Sequence, residues 1–165
     1  VDPTRVAVGG DSAGGNLAAV VALLARDHDG PAIALQALLY PVTDVGADTK
    51  SYQDFADGFL LTRESMRWFI DHYLSGEADA ADWRVSPLRA PSLAGLPPAL
   101  IVTAGFDPLR DEGEAYGLAL RKAGVRVDSI CYGGMIHGFV PMGRLIATGH
   151  RAVSHIAATL RQTLG

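Results

Sequence analysis

The 165-residue chain is 48% hydrophobic and 19% charged, with a formal net charge of −4. That length suits one domain burying roughly two-thirds of its unfolded surface, and the apolar balance suits a sheet covered by helices on both faces. Scattered Lys and Arg residues give no electrostatic case for nucleic acid or an anionic membrane, the single cysteine excludes an internal disulfide, and no stretch is apolar enough for a membrane span.

Val6-Ala7-Val8-Gly9 reads as a strand, and Ala13 to Arg26, apolar on nearly all faces, reads as a buried helix. Between them lies Gly10-Asp11-Ser12-Ala13-Gly14. A strand, a glycine-rich elbow with one serine, and a helix together present a hydroxyl above a parallel sheet. The turn leaves no room for a side chain at Gly10, and the helix is expected to pass so close at Gly14 that a Cβ would clash. Ile33 to Tyr40 is the next strand, stopped by Pro41.

From about Asp44 to Ser86 the chain turns polar and aromatic, with Tyr52, Phe55, Phe59, Trp68, Phe69, Tyr73 and Trp83. Thr62 caps a helix there, with Ser65 where a capping box usually has Glu. That helix, Glu64 to Leu74, places Met66, Phe69, Ile70 and Tyr73 on one side. A proline-rich crossover, Pro87 to Pro98, leads to the strand Ala99 to Thr103, and Asp107 follows that strand. Asp111 to Ala123 is a helix, capped by Asp111 and closed by Gly124. Val125 to Tyr132 is a strand, in which Cys131 reads as a buried structural thiol. His137 follows in a glycine-flanked loop. A last helix, Ala147 to Leu164, has Val153, Ile156, Ala157 and Leu160 as its buried stripe.

Ser12, Asp107 and His137 thus all follow the C-terminal ends of strands, which in an open α/β sheet lie along one edge. Their chain order is that of α/β-hydrolases. Alone, Ser12 would equally well be a turn serine; with a strand before it, a helix after it and the two partners downstream, it reads as a nucleophile. His28 and His72 lie in polar contexts and His150 and His155 on the last helix, so His137 is the base. Asp107 is preferred to Asp111 as the acid, because Asp111 is explained as a helix cap. Gly9 to Gly15 lacks the Gly-Lys-Ser/Thr ending of a phosphate loop, and Asp11 breaks the G-x-G-x-x-G spacing. No His/Asp/Glu cluster has ligand spacing, so neither metal nor cofactor is expected.

Four motifs in order are Gly10-Asp11-Ser12-Ala13-Gly14-Gly15-Asn16-Leu17-Ala18, Leu39-Tyr40-Pro41, Asp107-Pro108-Leu109-Arg110-Asp111-Glu112-Gly113 and His137-Gly138-Phe139. In these the chain resembles the hormone-sensitive-lipase-like α/β-hydrolases, in their bacterial esterase branch. The resemblance implies the C-terminal half of an α/β-hydrolase fold: a mostly parallel sheet with flanking helices and a cap-like insertion at about 45–86. It also implies a serine carboxylesterase acting on short- to medium-chain esters, with Ser12 as nucleophile, His137 as base and Asp107 as orienting acid. The backbone N–H of Ala13 would serve as an oxyanion donor, and Leu109, Ile136 and Phe139 as the acyl-pocket lining.

The family's upstream His-Gly-Gly-Gly run is not in this sequence. The chain therefore reads as a partial domain, with two alternatives to a working esterase: a folded but slow esterase unit, or a binding or scaffold protein. The strand at Val6 to Val8 is expected at a bare sheet edge, which favours a homo-oligomer or docking with an N-terminal half.

Overall fold

The structure, a computed structural model, describes residues 2–165, the side chains at 77 and 78 excepted. Four strands, β1 (Val6–Asp11), β2 (Ile33–Leu39), β3 (Ala99–Phe106) and β4 (Val127–Ile136), form one parallel sheet in the order β1-β2-β3-β4. Parallel strands need crossovers, and helices supply them. Helix α1 (Ala13–Asp27) links β1 to β2, and α4 (Arg110–Lys122) links β3 to β4. The long connection from β2 to β3 carries α2 (Lys50–Asp54) and α3 (Arg63–Tyr73), and α5 (Ala147–Leu164) ends the fold.

Alternation along the strands divides the core into two layers. On one face Leu38 and Ile101 meet Ala19 and Leu23 of α1 and Tyr116 and Leu120 of α4. On the other, Ala37, Leu100 and Val102 meet Phe139, Val140 and Ala152 of α5. A third cluster, Val42, Val45, Tyr52, Leu61, Met66 and Leu109, lies beneath the β2–β3 connection.

The expected elements are present, with instructive differences. Strand β4 runs on through Gly133 and Gly134, and its register against β3 shifts between Ala104 and Phe106. Because β4 is an outer strand, Cys131 is exposed, and the expectation of a buried thiol is corrected. Asp111 does not cap α4: it lies inside the first turn, where one oxygen accepts the Ser51 amide at 2.8 Å. Ser65 does replace Glu in the capping box of α3, exchanging bonds of 3.0 Å with Thr62 in both directions. In α5 the fully buried residues are Thr148, Gly149 and Ala152; of the expected stripe Ile156, Ala157 and Leu160 are part-buried, with Ile156 against the core, and Val153 is exposed. The close approach is made at Gly149, where an added Cβ would lie 2.9 Å from the Gly143 nitrogen; beyond Ala152 the helix is at most half-buried.

Candidate active site

Strand β1 ends at Asp11 and α1 begins at Ala13, so Ser12 alone makes the turn. It does so with φ +54°, a left-handed conformation that costs a non-glycine residue about 1–3 kcal/mol. Its amide donates to the Leu39 carbonyl at 2.9 Å and its carbonyl accepts the Asn16 amide at 3.1 Å, which fixes the strained turn at both ends. At Gly10 an added Cβ would collide with the Gly14 backbone, as the sharp turn requires. Gly14 itself has room, its nearest neighbour being 3.9 Å away. The tight position is Gly15, where a Cβ would lie 2.9 Å from Pro41.

Because the sheet is parallel, the ends of β1, β2, β3 and β4 share one rim, and Ser12, Tyr40, Asp107 and His137 follow them in turn. The structure brings three of these into a hydrogen-bonded line. His137 Nε2 lies 3.0 Å from Ser12 Oγ, and His137 Nδ1 lies 2.8 Å from Asp107 Oδ2. Asp107 is fully buried, and its other oxygen accepts the Leu109 amide at 2.9 Å. The Tyr40 ring packs 4.8 Å from the imidazole. With Nδ1–H donated to the carboxylate, Nε2 is left as the acceptor facing the serine hydroxyl. Such a line can draw the hydroxyl proton away as the oxygen attacks. Ala13 opens α1, so its amide has no intrahelical acceptor and is free for a developing anion.

An apolar cavity of about 240 Å³ reaches Ala13, the residue after the serine, and is walled also by Leu17, Val42, Met66, Ile70 and Val85 among others. Phe69 and Tyr73 complete the wall, so the one-sided face of α3 lines an open cavity and is only partly core. The residues expected as pocket lining lie elsewhere. Leu109 is fully buried in the cluster beneath the β2–β3 connection, and Phe139 is fully buried against the sheet. Neither has a surface to offer a ligand. Ile136 is half-buried at the end of β4, paired with Phe106, and does not border the cavity.

This chain matches the alpha/beta hydrolase fold over residues 1–141. It belongs to that family. Over 98% of its length the hydrolase chain is 52% identical to the carboxylic ester hydrolase LipN of Mycobacterium tuberculosis, of which it covers 44%. It is 38% identical over 99% of its length to an ethyl acetate hydrolase of Pseudomonas putida, covering 52% of that protein. The esterase of Pyrobaculum calidifontis superposes on all of it with a TM-score of 0.95 at 43% identity, and the match takes in 55% of that chain. The chain thus spans about half the length of the relatives it matches.

Two buried polar residues that pack around this line carry no signal in periodicity. Asn16 is buried in α1 and donates to the carbonyls of Val42 and Val85, both at 2.8 Å. Glu112 is buried in the first turn of α4, where an acidic residue ordinarily reads as an exposed partner of the helix dipole. Burial pushes its carboxyl up to about 8 despite the Thr43 and Asp44 amides bound to it, and the charges of Asp44 and Asp107 push the same way. Phe106, beside Asp107, stacks on Phe59 at 5.2 Å, and the Arg110 guanidinium lies 5.2 Å from the centre of the Phe55 ring.

Proposed function

We propose that the chain carries the nucleophile, base and acid of a carboxylic ester hydrolase. The observation that carries this reading is the line Ser12–His137–Asp107, with both hydrogen bonds at working distance. Ser12 Oγ attacks the ester carbonyl while His137 Nε2 takes its proton. Asp107 keeps Nδ1 protonated and stabilises the imidazolium that forms. The oxyanion accepts the Ala13 amide. His137 then protonates the leaving alcohol, and water, activated by the same imidazole, releases the acid from the acyl-enzyme.

An ester with a short- to medium-length acyl chain suits the apolar cavity beside Ala13, and residues 45–86 act as the cap that carries much of its wall. The naming of one relative as an ethyl acetate hydrolase supports a small ester. Release of p-nitrophenol from the acetate ester, compared between the wild type and Ser12→Ala, tests the reading. Equal rates in the two proteins overturn it in favour of a folded but inert unit or a binding protein.

Association is a second part of this reading. Strand β1 lies at the sheet margin with one edge unpaired among the described residues, and Leu17 and Val21 of α1 are exposed. A bare, apolar-flanked edge favours pairing with a second copy or with the other half of the hydrolase fold. Light scattering at micromolar concentration should find a species larger than one chain; a stable monomer counts against it.

A further inference from the structure

The segment Tyr40 to Asp44 leaves β2 and passes between two helices. On one side it meets the elbow: Asn16 holds the Val42 carbonyl at 2.8 Å, and the Val42 amide reaches the Ser12 carbonyl at 3.4 Å. At its start the Tyr40 ring lies against His137. On the other side it meets α4, which begins shortly after Asp107. There Glu112 Oε1 accepts the Thr43 amide at 2.6 Å and the Asp44 amide at 3.2 Å. The Thr43 hydroxyl donates to the Glu112 backbone carbonyl at 2.8 Å.

The second carboxyl oxygen of Glu112 is buried and has no hydrogen-bond partner among the described residues. A residue needed only to fill this space would be apolar, because a lone buried carboxyl oxygen costs stability. We propose that Glu112 is a positioning residue whose carboxyl fixes the 40–44 segment and, through Asn16 and Tyr40, the spacing of Ser12 and His137. The proposal rests on the reading of Ser12, His137 and Asp107 as a catalytic triad.

Three proteins and two measurements test it. Glu112→Asp withdraws the acceptor by one methylene, about 1.5 Å, whereas Glu112→Gln keeps a carbonyl oxygen where Oε1 stands. The first measurement is the rate of labelling by a fluorophosphonate, per folded molecule. The second is the proton resonance of His137 Nδ1–H in the bond to Asp107. Glu112→Gln should label within about threefold of the wild type, and Glu112→Asp at least about tenfold more slowly with a displaced resonance, since misplacement near 1 Å is costly to catalysis. A folded Glu112→Asp protein with both readouts unchanged overturns the proposal, as does Glu112→Gln behaving like Glu112→Asp. If Glu112→Asp does not fold, Thr43→Val removes one tie to α4 and should slow labelling about fivefold or more, outside the range allowed to Glu112→Gln; readouts within that range in the Thr43→Val protein overturn the proposal. Absence of labelling in the wild type would instead sink the triad reading and leave the resonance to decide on Glu112.

Discussion

Gly105 lies against the backbone of Gly133, so that a Cβ on Gly105 would sit 2.7 Å from the Gly133 Cα. The bare Cα of Gly105 lets β3 and β4 close together where their register shifts, just before Asp107 and His137 leave the sheet, whereas a Cβ on Gly133 would meet nothing. Backbone cannot yield as a side-chain tip can. Gly105→Ala should therefore cost about 1–3 kcal/mol and slow fluorophosphonate labelling at least about tenfold. Thermal unfolding together with labelling measures both; wild-type values in both would show the approach to be unimportant.

Ser12 is held at φ +54°, which glycine adopts freely and alanine does not. Both Ser12→Ala and Ser12→Gly should abolish turnover. Ser12→Gly should nonetheless be the more stable of the two by about 1 kcal/mol. Urea unfolding of the two variants decides this, and equal midpoints would mean that the elbow stores no strain.

Asp107, before α4, and Asp111, in its first turn, should differ sharply. Asp107→Asn removes the charge facing the imidazole and permits the wrong tautomer, so turnover should fall about 10³–10⁴-fold. Asp111→Asn loosens only bonds to the Ser51 amide and Arg110, with an effect below about tenfold. If Asp111→Asn proves the more damaging while both proteins fold, the acid has been misassigned.

Glu112 gives stability a pH dependence of definite sign. Its folded carboxyl stands at about 8 against an ordinary value of 4.5, so folding favours the protonated form. The associated stability is complete below pH 4.5, declines as pH rises toward 8 and levels off above that. The span is on the order of a few kcal/mol. Glu112→Gln does not titrate there, so wild type should lose ground to it between pH 5 and pH 8 by urea unfolding. Parallel curves would refute the assignment.

Sequence reading located the strand–elbow–helix unit because its signal is local: a short apolar run, small residues at the turn and a long apolar helix. Asp107 and His137 were legible for the same reason, each following a strand. Of the cavity wall only the α3 face Met66, Phe69, Ile70 and Tyr73 is legible, from its helical spacing. Leu109 and Phe139 stand next to motif residues in the chain, yet alternation and helix entry turn them into the core. Glu112 and Asn16 carry no local signal of a role, because their partners are the 40–44 backbone and Val85, far away in sequence. The exposure of Cys131 is not legible, because a strand's residues do not reveal whether it stands at the centre or margin of its sheet.

Ser12 and His137 meet at 3.0 Å although they leave the two outermost strands, β1 and β4. Three strand spacings, about 14 Å, separate those margins, and the histidine loop crosses them over the Tyr40 ring. The two side chains therefore become neighbours only when every strand between them has docked. Their residue numbers, 12 and 137, put the contact among the most sequence-distant in the chain, the kind that forms late as a polypeptide folds. Reactivity of Ser12 toward a fluorophosphonate would then serve as a clock for completion of the whole sheet during refolding, lagging behind helix formation seen by circular dichroism.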